Sequence, residues 1–168
     1  DQLPEQSDFD VIINLAGEPI VDKRWTRAQK EIICQSRWNI TEKIVAMIAR
    51  STVKPSCLIS GSAIGYYGET GSVSTHEDAQ VINSDFAHTL CQKWEKIALK
   101  AKEHCRVVLL RTGVVLASDG GALEKMRLPF SVGLGGKLGH GQQYMSWIHI
   151  DDMIHAIHFS LQIECIEG

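Results

Sequence analysis

Ser62, Tyr66 and Tyr67 fall within six positions of one another, just past a short apolar run, and are the side chains here best suited to act on an oxygen atom. A serine at the carboxyl end of a strand can polarise a carbonyl, and a phenol can donate a hydrogen bond to it. An ordinary phenol has a pKa of about 10, so only about 0.1% is ionised at pH 7, and neither tyrosine is a base unless a cation lies beside it. The alternative is that all three only bind a ligand or pack their loop. Upstream, Asn14, Leu15, Ala16 and Gly17 close another apolar run. Ala16 and Gly17 are small enough for a ring or a ribose to approach the backbone, or they simply pack a strand end. Arg37 follows on a helix, where a guanidinium pairs with a phosphate bidentately or is a solvated charge. Gly61, Thr112, Gly113 and Val115 stand at further strand ends, facing a ligand or buried.

These residues need a scaffold that brings strand ends together. Residues 10–16 form an apolar run closed by Gly17, which reads as a buried strand, expected over 11–15. Thr26 or a neighbour caps a helix carrying Ile33, Ile40, Ile44 and Ile48 at helical spacing, which runs to about Arg50. A second buried strand covers 58–60 and ends in Gly61-Ser62, and a polar loop spans 65–85. Phe86, Leu90, Trp94, Ile97 and Ala101 mark one face of a long helix. The third strand covers 107–110 and is closed by Thr112-Gly113. Gly120-Gly121 opens a short helix towards Leu128-Pro129. Residues 133–141 hold five glycines in nine positions and must be a loop, read as a flap over the site. A short strand at 147–150 precedes a last helix, 153–162, with Asp151 and Asp152 as its caps. His149 reads as a packed or supporting histidine rather than a base, and Arg111 as a structural charge satisfied by an acidic neighbour. Alternating strands and helices predict an α/β fold with a doubly wound, Rossmann-like parallel sheet. The strands are few for a free-standing sheet, so the expectation is one domain over 1–168 with its ends missing: the central and carboxyl-terminal part of a dinucleotide-binding fold.

The chain has 168 residues, 44% of them hydrophobic, and a net charge of −3. That composition suits a packed domain and argues against disorder and against a basic nucleic-acid clamp. The apolar runs are strand-sized, too short to cross a bilayer, and the acidic, polar opening residues do not read as a signal peptide. Five cysteines, an odd number with no C-x-x-C pair, argue against a disulfide scaffold or zinc knuckle. They read as reduced thiols of a cytoplasmic protein, none in a reactive setting.

Four segments carry a resemblance. Asn14-Leu-Ala-Gly17 resembles the Asn-x-Ala-Gly motif that ends the fourth strand of short-chain dehydrogenase/reductases. Residues 60–68, Ser-Gly-Ser-Ala-Ile-Gly-Tyr-Tyr-Gly, resemble the Ser-Ser-x-x-x-Tyr-Gly segment of the extended branch. Residues 110–115 are similar to its Leu-Arg-Pro-x-x-Val segment, and 147–152 to its Phe-Val-His-Val-Asp-Asp segment. With Trp94-Glu95 and Gly133-Leu-Gly-Gly136 added, the closer resemblance is to the atypical NAD(P)-dependent epimerase/dehydratase-like group called epimerase family proteins.

The resemblance implies NADP or NAD as cofactor, NADP being favoured. It implies that Asn14, Leu15, Ala16, Gly17, Arg37, Gly61, Thr112, Gly113 and Val115 face the dinucleotide, and that Ser62, Tyr66 and Tyr67 face the reacting group. It implies an oxidoreductase or epimerase-like enzyme acting on an unknown small molecule, with no metal, nucleic acid or membrane as partner. The alternative is a dinucleotide-binding sensor or scaffold without turnover. Two departures bear on this choice. The family's Gly-x-x-Gly-x-x-Gly turn does not occur in the chain, and no Tyr-x-x-x-Lys occurs either: the positions four beyond Tyr66, Tyr67 and Tyr144 are Thr70, Gly71 and Ile148. Aligned on Glu95, the lysine place holds Cys91 and the tyrosine place Ala87.

Overall fold

The computed structural model describes residues 8–79, 84–137, 139 and 141–168. The expectations for the opening residues 1–7 and for parts of the two loops, 80–83, 138 and 140, lie outside the described residues. Three parallel strands, β1 (Val11–Asn14), β2 (Cys57–Ala63) and β3 (Arg106–Thr112), form a sheet in that order. Asn14 pairs with Ser60, and Ser62 pairs with Arg111. The sheet is covered on both faces, which is why its strands read as nearly continuous apolar runs. On one face Ile12, Leu58 and Val107 pack against Ile44 and Ile48 of helix α1 (Arg27–Arg50) and against Ala101, in a 3-10 segment (Leu99–Glu103) that follows helix α2 (Phe86–Ala98). On the other face Val11, Cys57, Ile59 and Val108 meet Ile157 and Leu161 of helix α4 (Ile150–Gln162). This is the expected α/β architecture with helices on both faces of a parallel sheet.

Helix α1 is capped by Thr26, whose side chain accepts from the Gln29 N–H, and it runs unbroken through the isoleucines picked out by their spacing. Ile33 and Cys34 meet Leu90 of α2, so the two helices pack on each other as well as on the sheet. Arg106 at the start of β3 donates to the carbonyls of Ser160, at 2.9 Å, and Ile166, at 2.8 Å. A cation among the last carbonyls of α4 suits the negative end of the helix dipole and ties α4 to the sheet.

Three local expectations are corrected. Thr112-Gly113 does not end the extended chain: Val114–Ala117 forms a further strand, β4, which pairs in parallel with β5 (Trp147–His149) in a separate two-stranded sheet. Gly113 is the pivot, since a Cβ there would lie 2.6 Å from the Ser146 carbonyl oxygen. Asp151 and Asp152 are not the caps of α4. They lie inside its first turn, and the cap is His149, whose side chain accepts from the Asp151 N–H. An exposed ring beside a carboxylate replaces the packed histidine expected there. Finally, helix α3 (Gly121–Ser131) continues past Pro129. No helix among the described residues is long and apolar enough to cross a membrane.

Candidate functional site

The carboxyl end of β1 is shaped from below. Asn14 is buried; its Nδ2 donates to Thr41 Oγ1 at 3.0 Å and its Oδ1 accepts from the Ala16 N–H at 3.2 Å. Thr41, fully buried on α1, also accepts from Trp94 Nε1 at 2.9 Å and donates to the Arg37 carbonyl at 2.7 Å. A single hydroxyl therefore joins β1, α1 and α2 and fixes the turn through Leu15, Ala16 and Gly17, which stands exposed at the strand's end. Gly61 lies against the same cluster: a Cβ there would be 3.1 Å from the Trp94 ring and 3.3 Å from the Asn14 carbonyl oxygen.

Arg37 lies under this turn. Its Nη1 donates to the carbonyls of Glu18 and Ile33, both at 3.1 Å, and the Glu18 N–H is held by Ser36 Oγ at 2.9 Å. A Cβ on Gly17 would approach the Arg37 Cζ to 2.7 Å. The space made by Gly17 is thus taken by the guanidinium, where the sequence suggested a ring or ribose. Burial pulls this guanidinium below its ordinary value.

A second cluster lies between β2, β3 and α2. Glu95, 4% exposed, accepts from Ser62 Oγ at 2.6 Å and from Arg111 at two points, Nε and Nη2, each at 2.9 Å. Arg111 Nη1 donates to Tyr67 Oη at 3.1 Å, and its Cζ stands 3.6 Å from the Tyr66 ring centroid. The bidentate bond to Glu95 raises the Arg111 guanidinium above its ordinary value, so the guanidinium keeps its charge. Glu95 is the acidic neighbour that the sequence required of Arg111. Ser62 in this arrangement gives its proton to Glu95 and offers a ligand only lone pairs.

The two positions where relatives of the usual type carry tyrosine and lysine are also filled. Ala87 abuts the 3-10 turn Ile64–Tyr67, and a Cβ on Gly65 would stand 2.9 Å from the Ala87 Cβ. The turn that presents Tyr66 and Tyr67 therefore packs directly on Ala87, and His88 Nδ1 donates to the Tyr66 carbonyl. Burial, reinforced by the Glu95 charge, pushes the Cys91 thiol up to about 11, which makes it no nucleophile.

Not all the expected site residues come together. Asn14, Ser62 and Thr112 lie at the carboxyl ends of their strands, but the register pairs Thr112 with Ala63, so it points to the opposite face from Asn14 and Ser62. Its hydroxyl turns back to the Leu110 carbonyl at 3.2 Å. Val115 pairs with Ile148 in the smaller sheet. Two adjoining cavities, of about 730 and 390 Å³, share Ile64, Tyr67 and Thr75 in their walls, and Arg111 lines the smaller. Neither is lined by the turn 14–17 or by Arg37. No group of His, Cys, Asp and Glu side chains among the described residues could hold a metal ion.

The sequence reading passed over Thr41 and used Glu95 only for alignment. Both had a signal. Thr41 is a polar residue on the stripe that carries Ile44 and Ile48, and Glu95 lies four residues beyond Cys91 on the buried face of α2. Buried polar side chains must find partners, and a buried carboxylate wants a cation.

The chain has relatives among known proteins, in sequence and in fold. The chain is 41% identical over 162 residues to an epimerase family protein of Staphylococcus epidermidis, covering 96% of this chain and 54% of that protein. It is 42% identical over 159 residues to the chloroplastic epimerase family protein SDR39U1 homolog of Arabidopsis thaliana, covering 94% and 45% respectively. It spans about half the length of the curated relatives it matches. Among solved structures, the human epimerase family protein SDR39U1 with NADPH superposes with a TM-score of 0.88 at 33% identity, over 95% of this chain and 55% of that one. The nucleoside-diphosphate sugar epimerase from Corynebacterium glutamicum gives 0.80 at 34% identity, over 95% and 33%. Residues 1–164 match the family model described as the NAD dependent epimerase/dehydratase family, and with these relatives on the same fold the chain belongs to that family.

Proposed function

We propose that the chain forms part of an NAD(P)(H)-binding site and serves an oxidoreductase or epimerase-like reaction on a small molecule, with NADP(H) preferred. The observation that carries this reading is the exposed turn at Leu15, Ala16 and Gly17, held from below by Asn14, Thr41 and Arg37 at the carboxyl end of a parallel strand. Open α/β sheets receive their ligands at such strand ends. The human relative solved with NADPH supports the choice of cofactor. A dinucleotide would lie along the exposed backbone of this turn, braced from beneath by Arg37, with the backbone of Gly61, Thr112, Gly113 and Val115 along the neighbouring strand ends. The dinucleotide supplies or accepts the hydride. Tyr67 holds the substrate oxygen by a hydrogen bond, Tyr66 stacks beneath Arg111, and Ser62 with Glu95 keeps Arg111 in place.

The test is to mix the full-length protein carrying this sequence anaerobically with NADPH and a panel of carbonyl compounds and to follow absorbance at 340 nm. Oxidation that depends on a carbonyl compound is the expected result. Tight NADPH binding without oxidation across a broad panel retains the binding site and removes the turnover. Failure to bind NADPH or NADH overturns the reading.

A further inference from the structure

The guanidinium of Arg111 divides its hydrogen bonds between two parts of the molecule. Nε and Nη2 grip Glu95 on α2. Nη1 turns the other way and donates to Tyr67 Oη at 3.1 Å and to the Glu77 carbonyl at 2.9 Å. The first side is a fixed anchor: Glu95 is buried, and Ser62, the cross-strand partner of Arg111, donates to the same carboxylate at 2.6 Å. The second side reaches a stretch of another kind. Residues 68–79 contain no helix or strand and none of them is buried, and the Val73 and Ala79 N–H groups donate to the Thr70 and His76 carbonyls of the same stretch. A segment without buried apolar side chains opens at low cost, so bonds to the body of the fold decide whether it stays shut. Thr75, His76 and Glu77 wall the smaller cavity, of about 390 Å³, together with Tyr67, Leu109 and Arg111.

We propose that Arg111 is a latch: anchored on Glu95, its Nη1 holds residues 75–77 shut against the turn Ile64–Tyr67, and loss of the Glu77 bond swings that stretch away and opens the smaller cavity towards Tyr67. The arrangement needs arginine. A planar fork meets the carboxylate on one edge and the phenol and carbonyl on the other, whereas a lysine ammonium is a single point of charge and keeps Glu95 at the expense of Glu77. The latch closes on a main-chain carbonyl, so it reads the path of the loop and not its side chains. It stands whether or not a dinucleotide binds; its use, to admit a small molecule to the Tyr67 hydroxyl, rests on the function proposed above.

Limited proteolysis of the full-length protein carrying this sequence, without dinucleotide, tests the latch. A glutamyl endopeptidase cuts after Glu77 inside the stretch, and after Glu31 and Glu42 on α1, where cleavage requires the fold itself to open. Fragments are identified by mass, and initial rates follow the populations of the open forms. Arg111→Lys should speed the cut at Glu77 roughly ten- to hundred-fold, as loss of one bond from a charged donor does, and change the cuts at Glu31 and Glu42 less than about three-fold. Tyr67→Phe keeps the Glu77 bond and should leave all of these cuts within about three-fold. Arg111→Met combined with Glu95→Met leaves no unpaired buried charge and should open the stretch as Arg111→Lys does, which keeps the test decisive where the lysine variant does not fold. The proposal is overturned if the unsubstituted protein is cut after Glu77 as fast as when denatured, if neither Arg111 variant speeds that cut, if the cuts at Glu31 and Glu42 accelerate with it, or if Tyr67→Phe opens the stretch as far as Arg111→Lys. NADPH binding is measured separately, so a failed latch leaves the cofactor reading untouched, and a working latch without NADPH binding removes only that reading.

Discussion

At the scale of single residues, the site is built on two side chains that carry no chemistry of their own. Thr41 accepts from both Asn14 and Trp94 and passes its proton to the Arg37 carbonyl, so all its hydrogen-bonding capacity is in use. Thr41→Val keeps the shape and strands two buried donors. Each unsatisfied group costs about 1–3 kcal/mol, so the variant should lose roughly 2–6 kcal/mol in urea denaturation followed by tryptophan fluorescence. A loss below 0.5 kcal/mol would show that the hub is not structural. Arg37 gives a complementary case. Arg37→Ala should weaken NADPH binding roughly ten- to hundred-fold, the equivalent of a charged hydrogen bond worth about 1.5–3 kcal/mol. Arg37→Lys keeps the charge but not the two carbonyl contacts from one nitrogen under Gly17. Recovery of affinity by lysine would mean that Arg37 acts as a charge towards phosphate. Equal loss in both would mean that it acts by holding the turn. An unchanged dissociation constant in both, by titration calorimetry, would make it a bystander.

At the scale of elements, what could be read from the sequence divides along physical lines. The sheet strands and α1 were legible because burial on both faces and a 3.6-residue stripe leave long-range patterns in residue type. The Thr26 cap was legible because a cap is local. The β4–β5 ladder was not, because the apolar run of β3 resumes at Val114 after only Arg111, Thr112 and Gly113, and the reason for the break is the backbone of Ser146, more than thirty residues away. The site divides in the same way: a Ser or Tyr at a strand end is visible, but that Ser62 gives its proton to a buried glutamate of α2 is a tertiary fact. Helix α2 carries that glutamate, and its amino terminus is capped by Asp85, whose carboxylate accepts from the His88 N–H at 2.8 Å. Asp85→Ala removes both the cap and a negative charge at the positive end of the helix dipole. The expected cost is about 1–2 kcal/mol in stability, against roughly 1 kcal/mol for Thr26→Ala at the neutral cap of α1. Equal losses in parallel denaturation curves would show that the Asp85 charge adds nothing.

At the scale of the whole molecule, burial of thiols makes stability depend on alkaline pH. Cys34, Cys57, Cys91 and Cys105 are all raised above the ordinary thiol value, in each case chiefly by burial; Cys91 reaches about 11, with the Glu95 charge as second cause. A thiol that ionises near 9 in the unfolded chain and near 11 in the folded one is protonated in both states below pH 9, where its contribution is fully present. Between those values the unfolded chain gives up a proton that the folded one keeps, so the unfolded state gains and stability falls as pH rises. For Cys91 the loss across that window amounts to about 2–3 kcal/mol, since each pH unit is worth about 1.36 kcal/mol. The other three thiols act in the same direction. Melting temperature should therefore decline from pH 8.5 to 11, and Cys91→Ala should flatten the decline while costing a pH-independent amount for the lost sulfur contacts. Every other ionisable group is present in both proteins and cancels in the difference between the curves. If the two curves run parallel from pH 8.5 to 11, Cys91 ionises as easily folded as unfolded, and the close packing of α2 against β2 around Ser62 and Glu95 described above would be wrong.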